Sequence, residues 1–242
     1  MHGADVDRRR GLDVNRAVRR VGSQSADHGE GPFWDSREQR LLIVDLMAGD
    51  ILELREPDAP ERYHLGTVAA ALRARAGGGF VVALENGFAL TDARFDTIDV
   101  LPPVFTDPAI RMNDGGCDPQ GRFYCGTMAY DESSGAGTLF RLDPDLTVHT
   151  VLEGVTISNG LQWSADGSTV FYNDTATGRV DVFDFEAASG TFSGRRPFAS
   201  IPPSAGAPPL ARRMAWQLTR TVGCGSPSGE AAACIAMTRM VR

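Results

Sequence analysis

Cysteine, histidine and surplus positive charge are all scarce in this chain of 242 residues. The four cysteines, Cys117, Cys125, Cys224 and Cys234, form no C-x-x-C pair, so neither a zinc site nor a disulfide framework is indicated. Cys117 and Cys125 flank the turn DPQG, and a hairpin through that turn is expected to pair Cys117 with Arg122 rather than with Cys125. The histidines His2, His28, His64 and His149 are scattered, with no metal-ligand spacing among them. A formal net charge of −7 argues against nucleic acid as a partner, because a phosphate-tracking surface needs clustered Lys and Arg.

A long apolar run is missing too. The arginine-rich start DRRRGLDVNRAVRR leads into none, so neither a signal peptide nor a membrane span is read there. Residues 1–20 are expected to be a disordered or artefactual N-terminal extension, and the default location is cytoplasmic with no membrane partner. No stretch holds a helical period over a dozen residues, which excludes an α/β fold.

A repeat fills the space that helices do not. FWDSREQRLLIVDL, RAGGGFVVALENG, GCDPQGRFYCGTM and WSADGSTVFYNDT each carry a glycine- or aspartate-rich turn and then an apolar run. The runs begin at Leu41, Phe80, Phe123 and Val170, a period of about 40 to 47 residues, the length of a β-propeller blade. Further strands follow in DILEL, FALTDA, TLFRLDPD and VDVFDFEAASG, each bounded by Gly, Asp or Pro. The fold class is all-β, a propeller with about four to four and a half blades in the chain.

The beat stops near residue 208, and residues 209–242 read as an aberrant, frameshifted tail. Reading the tail's codons from each third base forces glycine at Met214–Ala215, alanine at Trp216–Gln217, aspartate at Met237–Thr238 and glycine at Met240–Val241. With permitted bases elsewhere the result is DGLAVDADGGVWVALWGGGGVHRYDADG, a strand–turn–strand pattern where the period places the next blade. The rival reading is a helical tail from Ala211 to Arg242, which lacks an amphipathic stripe.

Three stretches carry chemistry. HGEGPFW holds Glu30 between glycines just before a strand; IRMNDGGCDPQG holds Arg111, Asn113 and Asp114; TISNGLQW holds Asn159 in the corresponding place of the following repeat. In a propeller, such positions converge at the mouth of the central channel. A carboxylate and an amide carbonyl are hard oxygen ligands suited to Ca²⁺, Mg²⁺ or Mn²⁺, and Zn²⁺ also accepts them. Each stretch has an ordinary alternative: Glu30 as a solvated turn residue, the NG of SNGL as a hairpin turn, Arg111 as a surface arginine.

GEGPFWD, RMNDGGCDPQGRFYCGTMAYDE, ISNGLQWSADGSTVFYNDT and VDVFDFEAASGTFSGRRPF together resemble the gluconolactonase, regucalcin and luciferin-regenerating enzyme family over residues 21–208. The resemblance implies a six-bladed propeller, here incomplete, with one divalent cation (Ca, Zn, Mg or Mn) and hydrolysis of a small-molecule sugar lactone. Carried over by position, Glu30 and Asn159 match two metal ligands, and Arg111 and Asn113 match substrate-binding residues. Asp131 stands where some members place a substrate-contacting glutamate, with Glu132 beside it. The family's third ligand, an aspartate in a P-D-G motif that is also the general base, is absent: GAPPL departs from it, while the shifted frame supplies D-G at the Arg213–Met214 junction. The chain is therefore expected to be a lactonase by family that is itself inactive. The alternatives are a non-catalytic binding propeller, or an arylesterase or strictosidine-synthase type of propeller.

Overall fold

The computed structural model describes residues 25–55 and 59–201, and the backbone of Trp216–Thr221 and Cys234–Arg239. The expected extension at 1–20 and the break at 208 lie outside these residues. Four antiparallel four-stranded sheets follow one another along the chain. Blade 1 comprises β1 (Gly29–Asp35), β2 (Arg40–Asp45), β3 (Asp50–Leu54) and β4 (Glu61–His64). Blade 2 comprises β5 (Ala69–Ala74), β6 (Phe80–Leu84), β7 (Phe88–Thr91) and β8 (Ile98–Val100). Blade 3 comprises β9 (Ile110–Cys117), β10 (Phe123–Ala129), β11 (Gly137–Leu142) and β12 (Val148–Val155). Blade 4 comprises β13 (Ser158–Trp163), β14 (Thr169–Asp174), β15 (Arg179–Glu186) and β16 (Thr191–Ser200). The first strands β1, β5, β9 and β13 lie side by side as the inner strands of the blades. No α-helix occurs among the described residues, only two short 3-10 turns.

The apolar runs of the repeat are the second strand of each blade, and DILEL, FALTDA, TLFRLDPD and VDVFDFEAASG supply the third. Their patterns report their neighbours. FVVAL in β6 and FYCGTMA in β10 are buried at every position, because blades 2 and 3 are covered on both faces. Along β10 the faces alternate: Phe123 and Cys125 join the core shared with blades 1 and 2, and Tyr124 joins the core shared with blade 4. The β2 run RLLIVD instead alternates, with Leu42 and Val44 buried and Leu41 and Ile43 half-buried, because blade 1 has one covered face among the described residues.

Cys117 pairs with Phe123, not with the expected Arg122. Asp118 shortens the turn: its carboxylate accepts from the amides of Gln120 (3.0 Å) and Arg122 (2.9 Å), and its own amide donates to the Arg122 carbonyl at 3.1 Å. Gly121, at φ 86°, closes a three-residue loop of the kind that needs a left-handed glycine. Both cysteines remain free, and burial pushes the Cys117 thiol up to about 11.

In the tail, β17 (Trp216–Thr221) and β18 (Cys234–Arg239) pair antiparallel, and β17 lies beside β13. These segments are extended, not helical, so the helical alternative for the tail does not hold there.

Candidate active site

Glu30, Asn113 and Asn159 do not precede the inner strands, as expected, but lie inside them near their N-terminal ends. The register explains why the strands start early. Each inner strand carries one extra residue against its partner: between Glu30 and Phe33, between Ala69 and Ala71, at Asn113 between Met112 and Asp114, and between Asn159 and Leu161. These β-bulges occupy the same level of all four blades, and a bulge re-aims the side chains beside it. Gly31 (φ 53°) and Gly160 (φ 50°) supply left-handed backbone at two of them. The NG of SNGL is therefore part of a bulged strand, not a hairpin turn, and Glu30 is a strand residue rather than a turn residue. In β5 the matching stretch is Ala69–Ala71, which brings no polar side chain to this level.

One device holds the entry to blades 1 and 4. Asp45 ends β2, and its carboxylate accepts from the amides of Asp27 (3.2 Å) and His28 (2.8 Å). Asp174 ends β14 and accepts from Thr156 (3.0 Å) and Ile157 (2.9 Å). A 3-10 turn and a left-handed glycine, Gly49 or Gly178, follow each aspartate. Glu30 and Asn159 thus leave two identical fixtures. The sequence carries this signal as an aspartate four residues before a glycine in VDLMAGD and NDTATGR.

Between them, β9 brings its polar residues inward. Arg111 is 4% exposed, so it is no surface arginine. Its Nη1 donates to Asn113 Oδ1 at 2.7 Å and to the Met112 carbonyl at 3.0 Å. Asn113 Nδ2 donates to the Ser158 carbonyl at 2.6 Å, linking β9 to the residue before Asn159. Asp114 accepts from the amides of Gly115 (2.7 Å) and Gly160 (2.9 Å), which fastens the β13 bulge to blade 3. Asn159 Nδ2 donates to Thr175 Oγ1 at 2.9 Å, which orients the amide and leaves its carbonyl oxygen as the atom available to a cation. Glu30 stands 3.9 Å from the His28 ring.

Burial holds the Arg111 guanidinium below its ordinary pKa, against the opposing pull of Tyr130, Glu30, Cys125 and Glu132. No carboxylate lies within ion-pair distance of it among the described residues. Asp131, next to Tyr130, is exposed, and its carboxylate accepts from the Ser133 amide at 3.0 Å in a local turn. Among the described residues no group of three or more His, Cys, Asp or Glu is placed to hold a metal ion. No helix there is long and apolar enough to cross a membrane.

Comparison with known proteins gives one family. Residues 28–209 match the family model described as the SMP-30/gluconolactonase/LRE-like region. Regucalcin of Xenopus laevis is 33% identical over 196 residues, covering 78% of this chain and 65% of that protein. The solved structure of luciferin-regenerating enzyme superposes with a TM-score of 0.66 at 30% identity, covering 71% of this chain and 60% of that one. A gluconolactonase of Xanthomonas campestris shares the fold, with a TM-score of 0.61 at 20% identity over 73% of this chain and 64% of its own. The chain spans under two thirds of the length of each of these three relatives. The chain therefore belongs to the SMP-30/gluconolactonase/LRE-like family, and its four four-stranded sheets are blades of a propeller that is incomplete among the described residues.

Proposed function

We propose that the N-terminal ends of the inner strands form the substrate pocket of a metal-dependent hydrolase of sugar lactones, one that lacks its catalytic carboxylate in this chain. The observation that carries the reading is Arg111, a buried guanidinium with no carboxylate partner among the described residues. A buried charge without an ion-pair partner is costly, and a ligand that meets it offsets that cost. Asn113, bonded to the same guanidinium, offers a second polar contact to a ring oxygen or hydroxyl of the substrate. Asp131 belongs to this reading only as a rim residue, because its carboxylate is committed to the Ser133 turn.

The donors fit a divalent cation in part. Glu30 and Asn159 bring one carboxylate and one amide carbonyl, both hard oxygens, from matching places in β1 and β13. When bound, such a cation (Ca, Zn, Mg or Mn) would polarise the lactone carbonyl towards attack by water. Two protein ligands make a weak site, and among the described residues no group of three or more His, Cys, Asp or Glu supplements them. The chain's own residues then bind and orient the lactone, while the proton of the attacking water has no assigned acceptor.

Calorimetric titration of the 242-residue chain with Mn²⁺ tests this reading. Weak saturable binding is expected, lowered about tenfold or more by Glu30→Gln and by Asn159→Ala, the loss that removing a ligand from an oxygen site implies. Binding that neither substitution changes would contradict it. A chain that binds a lactone without turning it over would act as a binding propeller, and the missing carboxylate favours that second reading over an arylesterase.

A further inference from the structure

We infer that Tyr130 and Glu85 form a clamp between blades 2 and 3 that positions Arg111 for its ligand. This rests on the pocket reading above and adds two residues to it. Tyr130 follows β10, and its ring lies 5.7 Å from the Arg111 guanidinium carbon, within cation–π range. Its hydroxyl donates to Glu85 Oε1 at 2.5 Å. The other carboxylate oxygen of Glu85 accepts from Thr67 Oγ1 at 3.0 Å. The Glu85 carbonyl accepts from the Met112 amide at 2.8 Å, next to Arg111 in the chain. One residue of blade 2 therefore holds both the backbone beside Arg111 and the aromatic ring against its side chain.

By register Glu85 sits where Asp45 and Asp174 sit in blades 1 and 4, one residue beyond the partner of the bulged level. Those two aspartates cap the amides that lead into their own inner strands. Blade 2 brings only alanines to that level, and its acid, one methylene longer, accepts from the Thr67 hydroxyl ahead of its own inner strand and also reaches out of the blade to Tyr130. Tyr130 is 40% exposed, so its ring both backs the guanidinium and faces solvent at the pocket rim. A fold-stabilising contact has no need of an exposed aromatic beside the buried cation of the pocket. The attraction of the ring face for the guanidinium also limits where that group can sit, and so which way its unused N–H donors point.

Calorimetric binding of potassium gluconate, the open-chain acid that a glucono-lactone yields, is the test, with the thermal midpoint of each variant measured alongside. Gluconate binding to the full chain should fall about tenfold in Arg111→Lys, which keeps the charge but cannot stack. Tyr130→Phe and Glu85→Gln should each weaken it about three- to tenfold, the range expected for releasing a stacked and hydrogen-bonded cation. Tyr130→Leu should weaken it further. In the Arg111→Lys background none of the three should add a loss, because their effect runs through the guanidinium. If the unaltered chain does not bind gluconate, or Arg111→Lys binds as well as it does, the pocket reading falls and the clamp with it. If Arg111→Lys weakens binding while the Tyr130 and Glu85 variants bind normally, or their losses add to that of Arg111→Lys, the clamp is wrong and the pocket stands.

Discussion

Gly126 has no room for a side chain. A Cβ there would lie 1.9 Å from Ser158 Oγ, and Ser158 is itself held by Tyr172, whose hydroxyl donates to that oxygen at 2.8 Å. Gly126→Ala should destabilise the chain by about 1–3 kcal/mol, the cost of overpacking a filled interior, and should disturb the Asn113–Ser158 contact as well. A denaturation midpoint equal to that of the parent chain would refute the tight packing described here. Charge at single residues makes a second prediction. Burial alone would raise the pKa of Glu53, but hydrogen bonds from Arg40 and Arg55 outweigh it and hold the carboxyl below its ordinary 4.5. A depressed folded-state value means stability that is present above pH 4.5 and lost as the pH falls through the folded value. Glu53→Gln should therefore flatten the acid limb of the stability curve, read by urea unfolding across that range; an unchanged limb would count against the network. Asp131 shows what the sequence leaves open at a single residue. Its place in AYDE follows from the sequence, but its commitment to Ser133 arises from the turn's own backbone amides.

At the scale of elements, much of the blade was visible in advance because its period and its turns are chemical. The apolar runs at Leu41, Phe80, Phe123 and Val170 each became a second strand, and their Gly- and Asp-rich turns became the hairpins that precede them. The inner strands were not visible at their full length. RMNDGG and SNGL carry polar and glycine residues that read as loop, and only the neighbouring blades make those residues strand by burying them. The bulges were hidden for the same reason, since one extra residue shows only against a partner strand. Partner choice also explains Glu85 and Tyr130: they lie 45 residues apart, and no local pattern announces their contact. The aspartate fixtures give the element-scale prediction. Asp174→Ala leaves the Thr156 and Ile157 amides without their acceptor and should cost about 2–3 kcal/mol, with a loss of cation affinity at Asn159. Asp174→Asn keeps one acceptor oxygen and should recover part of both. Equal behaviour of the two variants would argue that the carboxylate does not hold this strand entry.

Over the whole molecule, the end blades show what the middle ones conceal. Trp163 in blade 4 packs on Tyr124 of blade 3 and is 5% exposed. Trp34 holds the corresponding register position in blade 1, where no described blade precedes it, and it is 54% exposed beside Leu41. Phe198 is equally bare on the outer strand of blade 4. Apolar sheet faces of this kind favour association. Sedimentation velocity of the chain should show species larger than a monomer, reduced by Trp34→Arg; a clean monomer in both would mean that these faces are covered. The tail bears on the same question. Our proposal is that the shifted frame beyond Arg213 encodes both the next blade and the missing aspartate, and that the translated frame leaves the pocket without its base. Hydrolysis of D-glucono-δ-lactone by the 242-residue chain, followed with Mn²⁺ and with EDTA, tests that most directly. No metal-dependent rate above buffer is expected, and a rate should appear when residues after Arg213 are replaced by the shifted-frame sequence and its continuation. Metal-dependent hydrolysis by the chain as it stands, abolished by Glu30→Gln, would contradict it.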